Sequence, residues 1–401
     1  VKGRRTATLF LLPATALLAV GFRYVLRDSA PYNVRQWMEP AQRLLLLSAL
    51  LVNAVAHGVH RRLHPWPVYV VVLMGAQTIL LAHLGTHLAP GVDAGTAFFA
   101  ALALSLPWVF PLVRLEKGTR RAFATLIALL PLLSVVVGLV LHFLGIHRVY
   151  SGWFGGVARL QGATKGDYFA AMAFTAALVS VHEWVRNRRG LMGALIFLNL
   201  IFLIFSGGRM ALFATVLGAL IYFAKSPVAR DALWKLRGWA YLGVAAVGVA
   251  LVAYAPMLAD RMTGLGSAQF NFSGRRAIWT DYLDHFLASP WWGRGLGAAQ
   301  EGVLNRAFPH NEYLRLLVEG GIVVAALFLA AVVWWAWRLH RELSAFDRPF
   351  FVAFMVASAV YAFTDNPLSA TYLSGFIYLG VLLIEGEVLP HGVEEEDTPT
   401  P

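Results

Sequence analysis

Cysteine is absent from this 401-residue chain, which excludes disulfides, thiolate metal sites and a cysteine nucleophile. Charge is scarce too: Asp, Glu, Lys and Arg make up 14% of residues, against about 25% in soluble domains. No Gly-rich loop ends in Lys-Ser or Lys-Thr, so the phosphate cradle of a nucleotide hydrolase is missing. Gly293-Arg294-Gly295-Leu296-Gly297 follows Trp291-Trp292 rather than a buried strand, so it is no dinucleotide fingerprint. No His, Asp or Glu set has metal-ligand spacing, and no Asp-X-Asp pair stands in the first outer loop, so neither a metal nor another cofactor is expected.

Apolar residues are abundant, at 58% of the chain. A membrane span needs roughly 20 of them, and the pattern predicts an all-α polytopic membrane protein with about twelve spans. They fall near 7–26, 42–59, 67–88, 95–113, 122–144, 167–185, 190–206, 209–224, 237–256, 319–339, 349–365 and 371–389. Four regions follow: spans one to nine over 1–257, a long outer loop with surface helices over 258–318, spans ten to twelve over 319–389, and an acidic tail over 390–401. Val1-Lys2-Gly3-Arg4-Arg5 before an apolar run reads as an uncleaved first span, and the start at Val1 points to a trimmed terminus.

The net charge of +11 sits in short clusters between spans, which fits topology and anionic lipid rather than nucleic acid. Lys2, Arg4 and Arg5, Arg61 and Arg62, Arg120 and Arg121, Arg186, Arg188 and Arg189, and Arg338 and Arg341 all fall on one side. The positive-inside rule makes that side, and both termini, cytoplasmic. The opposite side still carries Arg159, Arg209, Arg275, Arg276, Arg294, Arg306 and Arg315. Outward arginine opposes insertion, so an anionic ligand is expected there. In the long outer loop, 274–289 has helical spacing, with Ser273 as N-cap and Ile278, Tyr282, Leu283 and Phe286 on one face suited to the bilayer surface.

His310 follows Pro309 at the start of a long span; a neutral imidazole there can accept a proton as a general base, while its plainer reading is an interfacial hydrogen-bonding histidine. Arg209 lies between two short apolar segments after Ser206-Gly207-Gly208. A charge at that depth faces a cavity or a counter-charge unless it snorkels. Arg275 and Arg276 point about 100° apart on a helix, so one of them faces a site, and guanidinium pairs with phosphate in two-pronged fashion. Arg159, before Gly162, is a weaker candidate in a basic loop.

Three pieces in this order and topology resemble the O-antigen ligase family, which is related to O-antigen polymerases and bacterial O-linked oligosaccharyltransferases. They are Ser206-Gly207-Gly208-Arg209 at a span boundary, Gly274-Arg275 with Trp279 in the outer loop, and His310-Asn311, nine intervening residues, then Gly321. Val324 stands where the family has a second glycine, and Gly166-Asp167 replaces the Pro-Asn that often follows the Arg159-X-X-Gly162 pattern. The resemblance implies a GT-C-like fold with its long periplasmic loop between the ninth and tenth spans, in the inner membrane, with the active site facing the periplasm. It further implies a metal-independent, inverting glycosyltransferase that moves O-antigen en bloc from undecaprenyl diphosphate to a sugar hydroxyl of lipid A–core in lipopolysaccharide biosynthesis. His310 would be the base, and Arg209, Arg275, Arg276 and Arg159 would hold the donor diphosphate.

Polymerase and protein O-oligosaccharyltransferase activities share that donor; the basic outer loops, suited to a phosphorylated core, favour the ligase. A transporter or flippase of lipid or glycan is the competing class, and the concentration of polar residues on one side argues against a two-sided route.

Overall fold

The computed structural model describes residues 62–114, 120–152, 158–235, 275–300 and 308–365, with isolated positions within 44–60, at 303–304 and within 378–383. The expected spans 7–26 and 237–256, most of 371–389, the 258–274 part of the outer loop and the acidic tail lie outside the described residues. So do Lys2, Arg4, Arg5 and Ser273.

The described chain is predominantly helical. Its helices are α1 (Trp66–Leu84), α2 (Ala94–Val109), α3 (Arg120–Phe143), α4 (Gly166–Asn187), α5 (Gly190–Ser206), α6 (Arg209–Lys225), α7 (Pro227–Lys235), α8 (Arg275–Leu287), α9 (Glu312–Glu342) and α10 (Arg348–Tyr361). Among the described residues five stretches are long and apolar enough to cross a membrane: Trp66–Leu84, Ala94–Leu112, Arg121–Phe143, Gly166–Asn187 and Glu312–Glu342. Helices α5 and α10 are shorter apolar helices. One short non-helical element stands beside the helices. Strands β1 (Tyr150–Gly152) and β2 (Ala158–Leu160) form a short antiparallel ribbon with Ser151 opposite Arg159. Three residues per strand carry too little alternation to be read in advance.

Helix α4 is the hub, buried along almost its whole length. Its run of Ala170, Ala171, Ala173, Ala176 and Ala177 lets neighbouring helices approach closely, and α3, α5 and α6 all pack on it. Helix α6 in turn packs on α10, where a Cβ on Gly218 would stand 3.1 Å from the Ala357 methyl. At the start of α2, the Asp93 carboxylate accepts the Thr96 N–H at 2.6 Å. That bond holds its carboxyl below the ordinary range.

Helix α9 is broken at Gly321 (φ 68°, ψ 178°). The break frees the Ile322 N–H to reach the Pro290 carbonyl at 2.8 Å. Around it the 288–300 segment docks backbone to backbone: Arg294 N–H donates to Val318 O (2.7 Å) and Gly295 N–H to Glu319 O (3.1 Å). A Cβ at Gly321 would fall 2.2 Å from the Trp291 carbonyl oxygen. Beneath, Arg315 is buried between Glu312 (3.2 Å) and Glu319 (3.3 Å), and Glu319 also accepts the Ala299 N–H.

Helix α8 sits on this platform. Tyr282 is fully buried beside Val318 and Ala299, with Ile278 and Phe286 packed at the edge, while Leu283 is exposed. The face expected to meet lipid therefore packs mainly on α9, where the Tyr282 ring is buried. Gly321→Ala combines a positive φ with overlap at Trp291. It should cost more than ~1 kcal/mol and loosen the 288–300 segment, read as a lower thermal midpoint in detergent and faster proteolysis there; unchanged values would refute this account of the break.

Candidate active site

One of the anticipated residues, His310, stands at the start of α9 and faces a carboxylate. His310 has φ 46°, a left-handed conformation uncommon outside glycine but less so for histidine. Asn311 is the N-cap, its Oδ1 accepting the Leu314 N–H at 3.0 Å. His310 Nδ1 is buried without a hydrogen bond among the described residues and faces Asp365 Oδ1 at 3.6 Å. The ring is partly exposed, at 31% of its side chain, so a substrate hydroxyl can reach an edge other than Nδ1. Tyr361 donates its hydroxyl to the other Asp365 oxygen at 2.6 Å.

Helix α8 brackets this pair. Arg275 and Trp279, one turn apart, share a face. Arg275 donates from its guanidinium to the Thr364 carbonyl, beside Asp365, and Trp279 Nε1–H donates to the Pro309 carbonyl, beside His310. Glu312 N–H adds a bond to Ala362 O at 2.9 Å, and the Tyr313 hydroxyl one to Ala359 O at 2.9 Å. The two backbone segments that carry His310 and Asp365 are thus tied together from three sides. Arg276, next to Arg275, is exposed.

Arg159 and Arg209 belong to a second group. Gly207, at φ 65°, ends α5 in the left-handed conformation, and its N–H returns to Ile204 O. A Cβ on Gly208 would meet the Ala170 methyl at 2.5 Å, so only glycine lets the turn lie against α4. Arg159 is 7% exposed. Its Nε donates to Ser206 O at 2.7 Å and its Nη2 to Asp167 at 3.1 Å, which straps the ribbon, the turn and the head of α4 together. Arg209 opens α6 with its side chain exposed.

The groups share one end of the bundle. Tyr222, late in α6, and Asp347, the N-cap of α10, both bond His182, so α6 and α10 run antiparallel. From their crossing at Gly218 and Ala357, Arg209 lies about 13 Å along one helix and Tyr361 about 6 Å along the other, in the same direction. Phe174 of α4 stacks on Tyr361 at 5.8 Å, bridging the Asp167 head to the Asp365 turn.

The sequence points to His310, Arg209, Arg275, Arg276 and Arg159; Asp365 and Tyr361 join His310 only in the fold. Among the described residues no group of three His, Asp or Glu side chains could hold a metal ion.

Residues 194–329 match the O-antigen ligase family. About a third of the chain is covered, and that third contains Arg209, Arg275, Arg276 and His310. Arg159, Tyr361 and Asp365 lie outside it. No curated protein matches the chain.

Arg159→Lys keeps the charge but cannot serve two acceptors from one planar fork. It should lower the thermal midpoint nearly as much as Arg159→Ala, whereas a midpoint equal to that of the unsubstituted chain would show that the strap carries no weight.

Proposed function

We propose that this protein is an O-antigen ligase that transfers O-antigen polysaccharide en bloc from undecaprenyl diphosphate to a sugar hydroxyl of lipid A–core, at the periplasmic face of the inner membrane. The observation that carries the reading is the His310–Asp365 pair, braced by Arg275 and Trp279, at one end of a bundle of apolar helices. The O-antigen ligase match over 194–329 supports the donor class.

In this mechanism the acceptor hydroxyl binds at the exposed edge of His310, which leaves Nε2 to take its proton. The oxygen attacks the anomeric carbon, the bond to the diphosphate oxygen breaks on the opposite face, and its electron pair leaves with the diphosphate; configuration inverts. Asp365, already 3.6 Å from Nδ1, draws in and stabilises the imidazolium as it forms. Catalytic hydrogen bonds are commonly long before substrate arrives. Tyr361 holds the carboxylate from its other side.

Arg209, exposed at the first turn of α6, and Arg276, exposed beside the braced Arg275, supply cationic hydrogen bonds to the diphosphate as its charge grows. Arg275 contributes from the position set by Thr364. Arg159 acts one layer back, setting the turn that carries Arg209. Charged groups preplaced in this way stabilise a leaving group without a metal.

General-base help is worth about 10²–10⁴-fold, so His310→Ala should lose transfer by that factor in a purified donor–acceptor assay while still inserting and folding. Asp365→Asn should lose about 10-fold or more through the same proton transfer. Undiminished transfer by His310→Ala would remove the assignment. Cells lacking the gene should accumulate long lipid-linked polymer beside unmodified core; core bearing a single repeat would indicate a polymerase instead.

A further inference from the structure

At the end of the bundle away from the candidate site lies a second polar cluster that the mechanism does not use. His182 is fully buried in α4. Its Nδ1 is 2.9 Å from the Tyr222 hydroxyl of α6, and its Nε2 is 2.9 Å from Asp347 Oδ1 at the head of α10. Arg186 donates to the same Asp347 oxygen, and Ser344 donates to the other at 2.6 Å. Glu183, next to His182, accepts from Tyr378 and from Asn187. Phe350 stacks on the His182 ring at 4.3 Å and Phe346 lies at 5.2 Å, closing the cluster. Burial alone would raise the Asp347 carboxyl; the hydrogen bond to His182 and the Arg186 guanidinium outweigh it and hold it below the usual carboxylate range.

The three helices tied here are the ones that carry the second group and the Asp365 turn at their other ends. His182 to Asp167 along α4 spans fifteen residues, Tyr222 to Arg209 along α6 thirteen, and Asp347 to Tyr361 fourteen. At 1.5 Å per residue all three distances are about 20–22 Å. Between the ends no charged residue occurs on α4 from 168 to 181, on α6 from 210 to 221, or on α10 from 349 to 361. The middle layer is held by ring stacking, such as Phe174 on Phe354 at 6.2 Å, and by the close Gly218–Ala357 crossing. Apolar packing is non-directional and by itself selects height and rotation weakly. Directional hydrogen bonds between buried charged groups select them more strongly, and register is the best-attested use of such groups.

We propose that the His182–Asp347–Arg186–Tyr222 cluster is a remote positioning device for the active site. It fixes the height and rotation of α4, α6 and α10, and through them the mutual placement of Asp167, Arg209 and Asp365. The inference rests on the site reading above, but one of its two readouts needs no activity.

The natural absence of cysteine allows spin labels to be placed at will. Phe213→Cys on α6 and Phe363→Cys after α10 put two labels on exposed positions near the site end. In the full chain, adding Asp347→Asn or the milder Tyr222→Phe should shift or broaden the distance between labels. The same variants without labels should lose about 10- to 100-fold in kcat, with a smaller change in KM, as expected for misplacement by an ångström or so. A lower thermal midpoint with an unchanged distance distribution and unchanged kcat would reduce the cluster to a structural weld and overturn the proposal. If Asp347→Asn does not fold, Tyr222→Phe decides alone. If the unsubstituted chain shows no transfer, the ligase reading fails, and the label distances still judge the positioning role.

Discussion

A carboxylate that leaves water must find hydrogen bonds or opposite charge, and in a bundle of apolar helices that demand fixes which elements can meet. Each well-placed carboxylate here joins segments distant in sequence. Asp347 gathers α4 and the α9–α10 turn, and through His182 also α6. Glu319 holds Arg315 and the backbone of the 288–300 segment. Asp167 and the Ser206 carbonyl share one arginine. Asp365 stands between Tyr361 and His310. The apolar surface drives association, but it would accept many arrangements; the few ionic contacts select one.

The candidate site is assembled from interruptions in helices rather than from helices themselves. Gly207 ends α5, Gly321 breaks α9 and His310 turns the chain just ahead of the Asn311 cap, all with positive φ. Each interruption releases backbone groups that a continuous helix would have consumed. Those groups then bond to neighbours: Gly207 and Ser206 at the Arg209 turn, Ile322 at Pro290, Pro309 at Trp279. Polar geometry thereby reaches one end of an otherwise apolar bundle without adding many charges.

Much of this was legible beforehand. The paired short helices follow from apolar runs on either side of Ser206-Gly207-Gly208-Arg209, and their observed bounds, Gly190–Ser206 and Arg209–Lys225, agree closely with the expected 190–206 and 209–224. His310 and Gly321 are marked by the motif that resembles the O-antigen ligase family; by itself the histidine reads just as plainly as an interfacial hydrogen-bonding residue. Tyr361 and Asp365 were not legible as a pair with His310, since one carboxylate after an apolar run resembles any loop residue. His182 and Asp347, 165 residues apart, left no local signal at all. The seat of α8 was also hidden: its amphipathic spacing fits a membrane surface as well as a protein surface, and only the partner face of α9 distinguishes them.

The backbone at His310 has a consequence for how such a chain can change. A non-glycine residue with left-handed φ carries local strain of order 1–3 kcal/mol, and glycine at that position would relieve it. Relief would remove the imidazole in the same step. Stability and activity therefore pull in opposite directions at this one residue, and substitutions that make the bundle firmer will be found elsewhere, in helices whose backbone is already at rest.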